Sequence, residues 1–232
     1  MQQTWPFPAR DLVLENDHVR ITPVELEHDL QSLFVAASIE HNRDDIFTYH
    51  VNVPPMKDLE TFRRYLTKKL ATHSEVTYKV FSKRLQCLAG CASLMSVRTE
   101  HGTIEVGSIW YSKAAQRTEI NSNAMLLLFE YVFESLGYRR LEWKCNNANE
   151  PSRQAALRLG FVYEGLFRQH FVSRGANRDT AWFSIIDNEW KETKNNSRAR
   201  VCRPFSAIES GMGFGLPNSR AANRRGHRRR CP

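Results

Sequence analysis

Apolar positions recur along the chain with two periods, and the switches between them mark the elements. Residues 12–14 and 19–23 read as extended segments around the turn Glu15-Asn16-Asp17. From 25 to 39 the spacing becomes helical, with Leu26, Leu30, Leu33, Phe34 and Ala37 on one side. A second helix is predicted over 59–70, where Leu59, Phe62, Leu66 and Leu70 share a face. Residues 76–81 and 85–97 read as a strand pair turning near Ser82-Lys83-Arg84, and 103–111 as a further strand. The stretch 124–136 is a strongly apolar helix that stops at Gly137, a residue suited to the turn after a helix end. A strand at 140–145 and a helix with Pro151 in its first turn, closed by Gly160, come next. A hairpin of 161–171 and 178–187 around Ser173-Arg174-Gly175 completes the pattern. This order predicts one mixed α/β (α+β) domain over 1–190, with hairpins early and late and helices between. It lacks the strict βαβα alternation of a doubly wound sheet.

After Trp190 the periodicity stops. Residues 191–232 are rich in Gly, Pro, Ser, Asn and Arg, and the expectation is a disordered basic tail. The tail changes how the charge is read. The net charge is +8, but residues 191–232 carry 11 Lys+Arg against 2 Asp+Glu, so the predicted domain is close to neutral. The basic pI is therefore no argument that the domain binds nucleic acid. Weak polyanion binding belongs, if anywhere, to the arginines between Arg220 and Arg230. The other reading of the tail is an extension with no role.

With 232 residues, 41% of them hydrophobic, the chain can bury one sizeable core. No run of 18 apolar residues is present, so neither a transmembrane helix nor a membrane partner is expected. The first ten residues lack the basic-then-apolar order of a secretory signal. Five scattered cysteines fit a reduced, cytoplasmic protein, acting as a monomer or homodimer. Cys87 and Cys91 are four apart, but no second Cys/His pair stands at ligand spacing, so no metal site is expected.

The informative chemistry lies in 104–188. Small and polar residues at 116–121 separate a strand from a buried helix. Backbone N–H groups exposed at such a helix start attract phosphate, and Arg117 would add charge. The same residues also read as an ordinary helix start capped by Asn121 or Ser122.

Taken together, Gly107-Ser108-Ile109-Trp110-Tyr111, Gln116-Arg117-Thr118, Asn149-Glu150-Pro151-Ser152-Arg153, Leu159-Gly160-Phe161, Glu164-Gly165 and Arg178-Asp179-Thr180 occur in an order that resembles GNAT N-acetyltransferases, and their Rim-type branch in particular. The resemblance covers roughly 19–190. It implies a central, mostly antiparallel mixed sheet flanked by helices, whose fourth and fifth strands splay apart around acetyl-CoA. Here those strands would be 103–111 and 140–145. It implies transfer of an acetyl group to a primary amine, on a small molecule or a peptide N-terminus, by direct attack in a ternary complex. The pyrophosphate loop departs from the wider pattern, because 116–121 holds no glycine. The Rim-type branch includes members with Gln-Arg-Thr or Gln-Gly-Thr followed by an Asn and an acidic residue, and this chain has Asn121 but Asn123 at the acidic place.

The resemblance implies cosubstrate contacts from Gln116, Arg117, Thr118, Asn121 and Ser122 at the loop. From the strand it implies the 109–111 backbone, including Trp110 and Tyr111. From the later helix it implies Asn149, Ser152 and Arg153, with Ser152 near the leaving sulfur. For Asn149 and Ser152 helix capping is the other reading. Proton removal needs a base or water chain, and thioester oxygen needs a facing donor. Glu105 is the first candidate base and His170 the second, each equally readable as a plain strand residue. Trp110, Trp143 and Trp182 read as core; the other reading is that one of them lines an acceptor pocket. The competing class is a nucleic-acid-associated protein acting through the Arg-rich tail, with a non-catalytic domain.

Overall fold

The computed structural model describes residues 3–43 and 45–201. Eight strands form one sheet in the order β1-β2-β3-β4-β5-β6-β8-β7. They are β1 (Leu14–Glu15), β2 (Val19–Pro23), β3 (Val76–Ser82), β4 (Cys87–Arg98), β5 (Thr103–Tyr111), β6 (Arg140–Asn146), β7 (Val162–Ser173) and β8 (Ala176–Ile186). The helices are α1 (Leu26–Ala37), the one-turn α2 (Ile39–Asn42), α3 (Leu59–Leu70), α4 (Glu119–Glu130), α5 (Glu150–Arg158) and α6 (Asp187–Val201). Every neighbouring strand pair is antiparallel except β5 and β6.

Period-two alternation gives the sheet two different faces. Leu141, Trp143 and Cys145 of β6, with Ala181, Phe183 and Ile185 of β8, join Ile120, Ala124, Met125, Leu128 and Phe129 of α4 in the larger core. On the other face Leu30, Leu33, Ala36 and Ala37 of α1 and Phe62 and Leu66 of α3 pack on Cys91 and Trp110. That second cluster takes no residue from β6, β7 or β8. The face there is left to polar and aromatic side chains.

β5 and β6 pair at only three positions, Thr103↔Arg140, Ile104↔Leu141 and Glu105↔Glu142, and then part. The expected splay therefore begins directly after Glu105. Two irregularities interrupt the β4–β5 ladder, one between Cys91 and Ser93 and one between Met95 and Arg98, and Ser108 of β5 has φ +49°. Gly90 permits the close approach of β4 to β5, since a Cβ there would stand 2.0 Å from Trp110 O.

Two expectations need correction. The helix predicted from 124 starts at Glu119, with Thr118 as its N-cap, whose Oγ1 accepts from Ile120 N at 3.3 Å. Its first turn reads as loop because Asn123 is polar, yet Asn123 is fully buried. Asn123 Nδ2 donates to Glu119 O at 2.9 Å, and Asn123 Oδ1 accepts from Asn16 Nδ2 at 2.9 Å. The helix then runs into a π turn, Tyr131–Ser135. The ordered helical structure also does not end at Trp190. Residues 191–201 continue α6, which packs through Thr193 and Ser197 rather than an apolar stripe. Trp190 stacks on Phe133 at 4.9 Å and donates to Glu134 at 2.8 Å, and Lys194 reaches Glu134 at 2.6 Å. Gly160 has φ +97°, and a Cβ on it would stand 2.6 Å from Thr193 Cγ2, so the α5 end and α6 fit closely. Residues 202–232, including the arginines expected to bind polyanions, lie outside the described residues.

Candidate functional site

The gap between β5 and β6 is framed at its mouth by two helix starts. α4 follows β5 through the 112–118 turn, and α5 follows β6 through 147–149. The first turn is tightly built. Ser112 O accepts from Ala115 N at 2.9 Å and Gln116 N at 3.1 Å, and Gln116 Nε2 donates to Tyr111 O at 3.0 Å. Thr118 Oγ1 donates to Ala115 O at 2.6 Å. Arg117 holds φ +57°, the left-handed region where glycine is easiest. Its side chain is exposed at the positive end of α4. Ser122 is partly buried in the first turn, and Asn121 Oδ1 is buried without a partner.

At the second helix start, Asn149 Oδ1 accepts from Ser152 N at 3.2 Å, capping α5. Ser152 Oγ accepts from Trp143 Nε1 at 3.1 Å. It also hydrogen-bonds the Cys145 thiol, whose pKa burial pushes up. Arg153 pairs with Glu150 at 3.0 Å while its buried Nε has no partner. In the expected cosubstrate set, the side chains of Trp110 and Tyr111 are buried. The Trp110 side chain is buried between Phe47 and Phe62, at ring distances of 5.5 and 6.2 Å, so only its backbone can face the gap. The Tyr111 side chain is likewise buried in the larger core, its hydroxyl unpartnered and its pKa raised by burial.

Glu105 sits at the apex where the strands part, 5% exposed. Lys144 Nζ stands 2.6 Å from its Oε2, and Ser96 Oγ donates to the same oxygen at 2.8 Å. Both contacts fall on Oε2, leaving Oε1 to accept from a water. Lys144 also lies over the Trp182 ring, 4.2 Å from its centroid. His170 is farther along the open face, in a register break of β7, its ring tilted against that of Phe171 at 3.9 Å and its Nδ1 buried without a partner. Glu105 and His170 therefore share a face of the sheet without meeting each other.

The 45–53 segment roofs this face, and sequence reading missed it. The hairpin turn pins it down. Arg174 Nη1 reaches Asp45 Oδ2 at 3.1 Å, Arg174 N donates to Asn52 Oδ1 at 3.1 Å, and Asn52 N donates to Ser173 Oγ at 3.3 Å. His50 Nε2 meets Ile109 O at 3.2 Å, and because a carbonyl only accepts, that nitrogen carries the proton. Burial lowers the His50 pKa to about 4, so the ring is neutral at pH 7. The one signal for these residues was Arg174 in the predicted turn. A partner 121 or more positions away leaves no local pattern.

A broad groove of about 1340 Å³ runs along β2, α1 and β3 and reaches Ser112 and Ala114 of the 112–118 turn. Its charged residues Lys79 and Asp29 already satisfy each other at 2.6 Å. Among the described residues no group of three His, Cys, Asp or Glu side chains could hold a metal, and no helix is long and apolar enough to cross a membrane.

Comparison with known proteins agrees with this geometry. A family model described as an acetyltransferase (GNAT) domain matches residues 18–162. A GCN5-related N-acetyltransferase from Brucella melitensis superposes with a TM-score of 0.81 at 37% identity, over 86% of this chain and 89% of that one. The chain is 30% identical over 107 residues to a putative ribosomal N-acetyltransferase, YdaF, of Bacillus subtilis, covering 46% of this chain and 58% of that protein. It is 31% identical over 103 residues to the ribosomal-protein-serine acetyltransferase of Escherichia coli, covering 44% and 57%. The aligned stretch thus spans less than two thirds of both bacterial relatives.

Proposed function

From the premise that this chain belongs to the GNAT acetyltransferase family, with a domain match across 18–162, we propose that it transfers an acetyl group from acetyl-CoA to a primary amine. The observation that carries the reading is the parting of the parallel strands β5 and β6 after Glu105. The mouth of that gap has a phosphate-attracting helix start on either strand. No observation favours the alternative of a nucleic-acid binder with an inactive domain.

The groups present suit acetyl-CoA. The α4 start, with Arg117, Thr118 and Ser122, would hold its pyrophosphate. Gln116 and Asn121 would frame that loop, and Arg153 would add positive charge from the α5 side. Asn149 Nδ2 would reach the pantetheine arm. When bound, acetyl-CoA supplies an activated acyl group. The backbone N–H groups of 109–111, beyond the last β5–β6 pair at Glu105, would face the thioester oxygen as charge develops there. Ser152, already between Trp143 and Cys145, stands where the leaving sulfur takes up a proton. The acceptor approaches from the open face beneath the 45–53 segment. Glu105 Oε1 takes the amine proton through water, and Lys144 fixes the carboxylate in place. The bond from acyl carbon to sulfur breaks as the bond to nitrogen forms; of the two protons an ammonium acceptor gives up, one passes through Glu105 to solvent and the other ends on the leaving sulfur.

The acceptor is a small amine or a protein N-terminus, the latter suggested by the names of the two bacterial relatives. The enzyme works in the cytoplasm, where the free thiols Cys87, Cys91 and Cys145 stay reduced. A thiol-release screen with acetyl-CoA across amines and N-terminal peptides tests the reading. Turnover with some amines and none without amine is expected. Absence of acetyl-CoA binding, and of release with every amine, contradicts it.

A further inference from the structure

The open face of β6, β8 and β7 carries polar and aromatic side chains, and three residues of β8 there have a buried polar atom without a partner. Lys144 stands opposite Trp182, and Asn146 opposite Thr180. Phe167 stands opposite Thr180, and Phe171 opposite Arg178. Period two places Arg178, Thr180 and Trp182 on that face together. Arg178 is only 8% exposed, yet among the described residues its guanidinium has no carboxylate partner. Its neighbour is the Phe171 ring, 5.4 Å away. Arg178 Nε, Thr180 Oγ1 and Trp182 Nε1 are all buried with no hydrogen-bond partner. Glu105 is the acid whose field reaches Arg178, and its Oε2 already serves Lys144 and Ser96.

A guanidinium held without a carboxylate partner and with its Nε buried costs stability, and removing such a charge is often neutral or favourable. A fold retains one most readily where a ligand supplies the missing anion. Arg178 is placed for the acceptor rather than for acetyl-CoA phosphates. The α4 start lies on the face with the larger core, whereas Arg178 lies on the opposite face, close enough to His50 of the roof for its charge to be felt there. Flat surfaces adjoin it, with Phe167 on Trp182 at 4.8 Å and His170 on Phe171 at 3.9 Å.

We propose that Arg178, with Thr180 and Trp182, binds a carboxylate on the acceptor, so that the amine acetylated belongs to a small amino acid-like molecule whose apolar body rests on Phe167 and Trp182. The inference rests on the acetyl-transfer reading above and names its substrate class. Thr180 Oγ1 and Trp182 Nε1 donate to the carboxylate beside the guanidinium, and a charge-assisted set of this kind discriminates strongly against a neutral analogue.

The test uses the full chain, acetyl-CoA and two matched pairs, phenylalanine with phenylalaninamide and methionine with methioninamide, followed by thiol release. The acid of each pair is expected to show a kcat/KM about 10- to 100-fold above its amide. Arg178→Met should bring that ratio to about 1, chiefly by raising the KM of the acid. It should leave the KM for acetyl-CoA unchanged and should keep or raise the melting temperature. Should that variant not fold, Trp182→Phe removes one donor and keeps the ring, and it should lower the ratio by about 3-fold. Equal use of acid and amide, preference for the amide, a ratio unmoved by the substitution, or turnover of none of the four while acetyl-CoA still binds would each overturn the inference. Failure to bind acetyl-CoA instead overturns the acetyl-transfer reading beneath it.

Discussion

Asn149 makes two claims on one side chain, and they can be separated. Its Oδ1 accepts from Ser152 N at 3.2 Å and closes the start of α5. Its Nδ2 donates to none of the described residues and is the atom proposed to hold the pantetheine arm. Asn149→Ala removes both roles. Loss of an N-cap costs about 1 kcal/mol, which for a domain of this size lowers Tm by about 2–4 °C. Asn149→Asp keeps the capping oxygen and places a negative charge at a helix N-terminus, so Tm should stay within about 1 °C of the parent. It deletes the amide donor, however. A single neutral hydrogen bond is worth about 0.5–1.5 kcal/mol, so the KM for acetyl-CoA should rise about 3- to 10-fold in both variants. Because the contact exists before and during transfer, kcat should change little. The assay is a thermal melt beside a thiol-release titration of acetyl-CoA. If Asn149→Asp leaves KM unchanged while Asn149→Ala lowers Tm, Asn149 is a helix cap and nothing more.

Further expectations concern proton transfer, acid stability and the domain's end. Glu105→Gln should lower kcat by about 100-fold or more, with the deficit shrinking at high pH where the free amine is abundant; a flat, small loss across pH in steady-state rates would leave Glu105 as a strand residue, with His170→Gln the next variant to measure. His50 has a folded pKa of about 4 against an unfolded value near 6.5. Its contribution to stability is present above pH ~6.5 and is lost as pH falls towards about 4; melts of the parent and His50→Gln between pH 7 and 4.5 should show the shallower slope in the variant, by up to about 1 kcal/mol per pH unit, and parallel slopes would contradict the assignment. Ending the chain after Trp190 removes Thr193, Ser197 and the Lys194 and Arg198 contacts with Glu130 and Glu134. A loss of about 2 kcal/mol, or about 4–8 °C in Tm, is expected; ending it after Val201 should change little, and equal melts for both truncations would place 191–201 outside the stable domain.

The elements that sequence made legible are those whose burial follows a simple period. The 59–70 helix has the predicted bounds, and β5 the predicted limits. Alternation in β6, with Leu141, Trp143 and Cys145 against Glu142 and Lys144, places the acidic and basic residues on the open face. The elements that misled do their packing with polar or small residues. The first turn of α4 buries Asn123, and α6 buries Thr193 and Ser197, so neither shows an apolar stripe. Arg117 adopts a positive φ that sequence assigns to glycine, and the loop's form was therefore hidden although its place was clear. At the candidate site, residues held by local contacts were readable, as with Asn149 capping Ser152. Those created by long-range pairing were not. His50 reaches Ile109, Arg174 reaches Asp45, and the unpartnered state of Arg178 exists only once β6, β7 and β8 are side by side.

The gap between β5 and β6 is tested most directly by a melt of the full chain against acetyl-CoA concentration. A ligand bound only by the folded state at about 100 times its Kd adds about 2.7 kcal/mol, equivalent to about 5–11 °C in Tm here. A saturable rise of that size with acetyl-CoA, matched in kind by CoA and absent with NAD or ATP, is the predicted result. An unchanged Tm at millimolar acetyl-CoA would contradict the assignment of that gap.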